Sequence, residues 1–65
     1  MARQIVNCEF HATVKGEERV LRGTGAGSFE ASRDAINKTM RKEKISYNEI
    51  KISKTITEKP TGKWV

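Results

Sequence analysis

Gln4-Ile5-Val6-Asn7-Cys8-Glu9-Phe10-His11-Ala12-Thr13-Val14 is the stretch that decides the fold. Val6, Cys8, Phe10, Ala12 and Val14 fall on one face, and Arg3, Asn7, Glu9, His11 and Thr13 on the other, with Ile5 the exception. An alternation of period two over eleven residues predicts a long antiparallel strand with one dry and one wet face. Lys15-Gly16 offers a two-residue turn, and Arg19 to Thr24 reads as the return strand. That loop length sets the register: Ala12 opposes Arg19, Phe10 opposes Leu21, and Cys8 opposes Gly23, so Leu21 faces the core.

After Thr24 the composition changes to Gly25-Ala26-Gly27-Ser28, and a helical period begins in Phe29, Ser32, Ala35, Ile36, Thr39 and Met40. Ser28 is the expected N-cap, with Glu30 at the positive end of the helix and Arg41, Lys42 and Lys44 at the negative end. The inner face is narrow and holds small residues, which predicts a helix lying close on the sheet. From Ile45 to Thr57 the alternation returns, with Ile50, Ile52 and Ile56 on one face and Lys54 breaking the apolar set. Residues 58–65 read as a turn at Glu58-Lys59-Pro60-Thr61-Gly62 followed by a short edge strand, Lys63-Trp64-Val65. The expected fold is therefore α+β: a single domain over residues 1–65, ordered strand, strand, helix, strand. It is an antiparallel three- or four-stranded sheet with one helix packed on one face. The other face must meet water or a partner.

Length and composition bound the function. The chain has 65 residues, and 13 Lys plus Arg against 8 Asp plus Glu give a net charge of +5. A domain of this size buries only about 60% of its unfolded surface, which leaves no room for a barrel, a doubly wound sheet or a conventional catalytic cleft. No enzymatic activity and no cofactor are expected. One cysteine makes no internal disulfide, and no stretch of roughly 18 apolar residues exists to cross a membrane. The chain runs from Met1 into a strand pattern without a signal peptide, so a cytoplasmic protein is expected. The charge is spread along the chain, +1 over residues 1–24 and +2 over each of 25–45 and 46–65.

Three constellations have chemical meaning. Gly23, Gly25, Gly27 and Ser28 join a strand to a helix, where free N–H groups and the helix dipole favour an anionic or amino-acid ligand. Their spacing matches neither the dinucleotide fingerprint nor the P-loop, and a tight joint that brings helix to sheet needs the same glycines. Arg33, Lys38, Arg41, Lys42 and Lys44, together with Lys51 and Lys54, are candidates for a phosphate-contacting nucleic-acid surface, interleaved with Glu30, Asp34, Glu43 and Glu49. Cys8 and His11 point to opposite faces of one strand and so do not share a metal. Cys8 reads as a small buried hydrophobe and His11 as a solvated residue.

Val14-Lys15-Gly16-Glu17-Glu18, followed by Gly23-Thr24-Gly25-Ala26-Gly27-Ser28-Phe29-Glu30-Ala31-Ser32-Arg33-Asp34-Ala35-Ile36, resembles the C-terminal regulatory domain of 2-isopropylmalate synthase. That family shows a hairpin, then Gly-x-Gly-x-Gly-Pro-Val-Asp-Ala-Ala opening its helix. Gly23, Gly25, Gly27, Ala31, Ala35 and Ile36 match, Phe29 and Glu30 replace Val and Asp, and Ser28 stands where proline is common. The likeness covers residues 10–40, and the third strand only in pattern. It implies a regulatory module of two similar strand-and-helix units holding a feedback amino acid between them near the glycine loops. This chain has the length of one unit and none of the catalytic barrel, so a homodimer would supply the second unit. The same stretch is similar, more weakly, to the last hairpin and second helix of a double-stranded-RNA-binding domain. There, lysines at the helix start grip phosphates; here Ser28, Phe29 and Ser32 stand at those positions, and the first helix is lacking.

Overall fold

The computed structural model describes residues 2–65. β1 (Gln4–Val14) and β2 (Glu17–Gly25) form the hairpin, α1 (Ser28–Glu43) follows, and a single 3-10 turn at Tyr47–Glu49 leads into β3 (Ile50–Trp64). The three strands make one antiparallel sheet in the order β2-β1-β3. The helix packs on one face of it, an α+β fold. Lys15 and Gly16 both have positive φ, 53° and 80°, the mirror-image turn whose twist matches that of the flanking strands. The turn length sets the register, and Phe10 opposes Leu21, Cys8 opposes Gly23 and Ala12 opposes Arg19, as the two-residue loop requires.

The dry face of β1 is the centre of the core. Phe10, Val14 and Cys8 are its largest fully buried side chains, joined by Val6, Ala12, Leu21, Ala31, Ala35 and Ile50. Ile36, Met40, Ile45 and Ile52 close it at the margins. Thr39 is buried too, and its hydroxyl donates to the Ala35 carbonyl at 2.9 Å, which removes the cost of an unpaired polar group. Lys44, in left-handed geometry, ends α1 by donating its N–H to the Met40 carbonyl. Arg19 then ties β2 to the end of the helix through Glu43 at 3.2 Å.

Four expectations need correction. The N-cap is Gly27, not Ser28: its φ of 132° and ψ of 169° are open to glycine alone, and Ser28 is already the first helical residue. Phe29 does not face the core. Ala35 and Thr39 are buried and Ile36 and Met40 partly so, as the period expects, but the first turn is buried through Ala31, and Phe29 is 72% exposed. Residues 58–65 are not a turn with a fourth strand, because β3 runs unbroken through Pro60 to Trp64. Its pairing slips between Val6–Pro60 and Gln4–Trp64, which leaves extra residues on β3, with Gly62 at φ 85°. Pro60 is tolerated because β3 is an edge strand, and the Thr61 hydroxyl donates to the Ile5 carbonyl at 2.9 Å beside the irregularity. Ile56 is not a core residue. Register shifts between Glu9 and Phe10 and between His11 and Ala12 break the alternation of β3, so Thr55 opposes Phe10 and Ile56 is left 42% exposed.

Candidate functional site

The glycine joint divides into two parts. Gly23 and Gly25 lie within β2, directly beneath α1. A Cβ on Gly23 would sit 1.9 Å from the Ala31 carbonyl oxygen, and one on Gly25 would sit 2.7 Å from the Ala31 nitrogen. The helix backbone fills the space a ligand would need, so these two glycines serve the helix-to-strand approach. Gly27 and Ser28 are at the helix start, where Arg3 reaches both the Ala26 carbonyl, at 3.4 Å, and the Glu30 carboxylate, at 3.5 Å.

Arg33, Lys38, Arg41 and Lys42 all lie on α1; Lys38 reaches past the edge of β2 to line the depression that Arg22 and Lys59 share, and the other three do not line it. Lys38 is engaged: its ammonium pairs with Asp34 at 3.1 Å, and the same carboxylate accepts the Thr24 backbone N–H at 2.9 Å. Burial alone would push the Asp34 carboxyl up. The Thr24 amide, Lys38 and Arg41 outweigh it and hold the group below its usual value of 3.8. Asp34 thus occupies a backbone donor on the outer edge of β2.

Two surfaces are not legible from the residue pattern alone. The first lies on the helix side, where α1 covers β1 and β2 and leaves β3 bare. Ser32 and Ile36 on the helix, Tyr47 and Asn48 on the 3-10 turn and Ile50, Lys51 and Ile52 on β3 line a groove of about 520 Å³, and Phe29 stands at its end beside Tyr47. Tyr47 is 64% exposed. The only sequence signal for it was an aromatic residue just before a strand.

The second surface is the open face of the sheet. The register places Glu18, Val20, Arg22 and Thr24 of β2 there, opposite Thr13, His11, Glu9 and Asn7 of β1. On the far side of β1 stand Lys51, Lys54, Thr57 and Lys59 of β3. Arg22 donates to Glu9 at 2.9 Å, and the Thr57 hydroxyl donates to its other oxygen at 3.1 Å. These bonds, Arg22 first, hold the Glu9 carboxyl below its usual value. The Thr24 hydroxyl and the Asn7 side-chain oxygen are 2.6 Å apart. Between Asn7, Arg22, Thr24, Lys38, Thr57 and Lys59 the face carries a shallow depression of about 400 Å³.

Cys8 is buried on the helix side, 3.9 Å from Glu58. Burial, and then the Glu58 charge, push its thiol up, which keeps it protonated. Among the described residues no group of three His, Cys, Asp or Glu is placed to hold a metal, and no helix is long and apolar enough to cross a membrane. Comparisons with protein-family models, with curated proteins and with solved structures find no significant match.

Proposed function

We propose that the chain is a non-enzymatic regulatory module that works as a homodimer, joined through the groove between α1 and β3. The observation that carries this reading is that knob and hole share one face. Phe29, 72% exposed, stands at the end of an apolar groove walled by Ile36, Tyr47 and Ile52. A twofold axis puts the same patch on both partners, so a surface offering both a projecting ring and a slot is self-complementary. The likeness to the amino-acid-sensing domain supports the same reading, because there a pair of strand-and-helix units makes the working fold. In such a dimer a small amino acid would meet the amides at Gly27 and Ser28, since Gly23 and Gly25 are covered by the helix.

Burying a phenylalanine side chain contributes about 1.5–3 kcal/mol. Both partners lose the ring, so Phe29→Ala is expected to weaken the dimer by about 3–6 kcal/mol, roughly 150- to 25,000-fold. The monomer fold should be unchanged, since the ring is exposed in a single chain. Sedimentation equilibrium of the wild type should give twice the 7.3 kDa chain mass. A wild-type monomer at high micromolar concentration, or a dimer indifferent to Phe29→Ala, overturns the reading.

A further inference from the structure

We propose that the open face of the sheet is a docking surface for double-stranded nucleic acid, gripped through its phosphates by Lys51, Lys54 and Lys59 along β3. The argument begins with the ion pairs. Among the described residues they engage Arg3, Arg19, Arg22 and Lys38, four of the thirteen Lys and Arg, so nine have no acidic partner. Five of the eight acids are in those pairs, which leaves Glu18, Glu49 and Glu58. The unpaired positive charge is therefore larger than the net charge suggests, and part of it is ordered by the sheet.

Lys51 opposes Thr13, Lys54 opposes His11 and Lys59 opposes Asn7, so all three project from the open face. They form one row, at most about 26 Å long at 3.3 Å per residue. The acids around the row do not cancel it. Glu9 is held by Arg22 and Thr57, Glu18 is two strands away on β2, and Glu58 opposes Cys8 on the helix side; Glu49 flanks only the Lys51 end of the row, where Lys15 borders the same depression. Beside the cations stand Asn7, Thr13 and Thr57, uncharged groups able to hydrogen-bond phosphate oxygens. Phe29, Tyr47 and Phe10 are elsewhere, and the exposed Trp64 opposes Gln4, which shares the Val6 side of β1, so His11 is the one ring this register places on the face, too little to stack successive unpaired bases. A row of cations with polar neighbours and a single imidazole suits a duplex backbone rather than a single strand. Such binding is sequence-blind and strongly salt-dependent.

Lys51 borders the groove as well as this face, whereas Lys54 and Lys59 do not line it; Phe29 is on the helix, so Phe29→Ala leaves all three lysines in place and the two proposals fail separately. The test is fluorescence anisotropy with a 20-base-pair duplex DNA across a salt series. Three phosphate contacts give a slope of about −2.7 in log K against log salt, so affinity should fall about 40-fold from 50 to 200 mM salt. In K51Q/K54Q/K59Q the slope should collapse toward zero. In K51R/K54R/K59R, which keeps the charge, it should persist, and in R33Q/R41Q/K42Q it should be unchanged. Thermal melts by circular dichroism check that each variant folds. Absence of binding at 50 mM salt overturns the proposal, as does a slope carried by the helix variant instead. Tighter binding to the single strand, or equal binding to polyglutamate or to anionic phosphatidylserine vesicles, overturns it as well.

Discussion

Gly23 and Gly27 are both glycine for reasons that differ and can be separated. At Gly23 the constraint is space, since an added methyl would overlap the Ala31 carbonyl. At Gly27 it is backbone angle alone, because φ is 132° and nothing lies within 4 Å of the added atom. Gly23→Ala must push the helix off the strand, an overpacking cost of about 1–3 kcal/mol or more. Gly27→Ala strains one residue by a similar amount but moves no element. Each should lower the melting temperature by at least about 4 °C. Only Gly23→Ala is expected to shift amide NMR resonances throughout α1 and β2. Shifts confined to the neighbours of Gly23 would refute the close-packing account.

At the scale of elements, the join between α1 and β2 depends on small residues and on one carboxylate. Ala31 and Ala35 allow the approach, and Asp34 accepts the Thr24 N–H on the outer edge of β2 while pairing with Lys38. Because its pKa is lowered on folding, Asp34 contributes stability above its unfolded value, near 3.8, and loses it as pH falls through the still lower folded value. Glu9 adds to the same trend. The melting temperature should therefore decline below about pH 4, and Asp34→Asn should make that decline shallower while lowering stability at pH 7. An acid decline of unchanged steepness in Asp34→Asn would remove this role.

For the whole molecule, the question is how so small a core stays folded. The buried set contains only five apolar side chains larger than alanine or cysteine: Val6, Phe10, Val14, Leu21 and Ile50. Domains of this size commonly gain stability from oligomerisation. If two copies share the α1–β3 groove, mass action makes the melting temperature rise with protein concentration. Melts from about 5 to about 500 μM should show that rise in the wild type and its absence in Phe29→Ala. A wild-type melting temperature flat across that range is the contrary result.

Local pattern alone determined β1, the Lys15-Gly16 turn and the β1–β2 register, because side chains alternate with period two and a two-residue loop permits a single pairing. It also determined that a helix of small inner residues follows the glycines. Which helical face is buried was decided by tertiary packing. Phe29 and Ala31 both fit a helical stripe, and the glycine backbone of β2 accepts only the one lined by alanines. The course of β3 was decided in the same way. Pro60 and Gly62 read locally as a turn, yet pairing with β1 carries the strand through them, with irregular register taking up the misfit. Lys51 and Lys54 were legible as candidate phosphate contacts, but the groove, and the grouping of those two with Lys59 on one sheet face apart from the helix cations, were out of reach of the sequence for a related reason. Each depends on which residues of β3 face which side, and the register shifts that decide this arise only when β3 lies against β1.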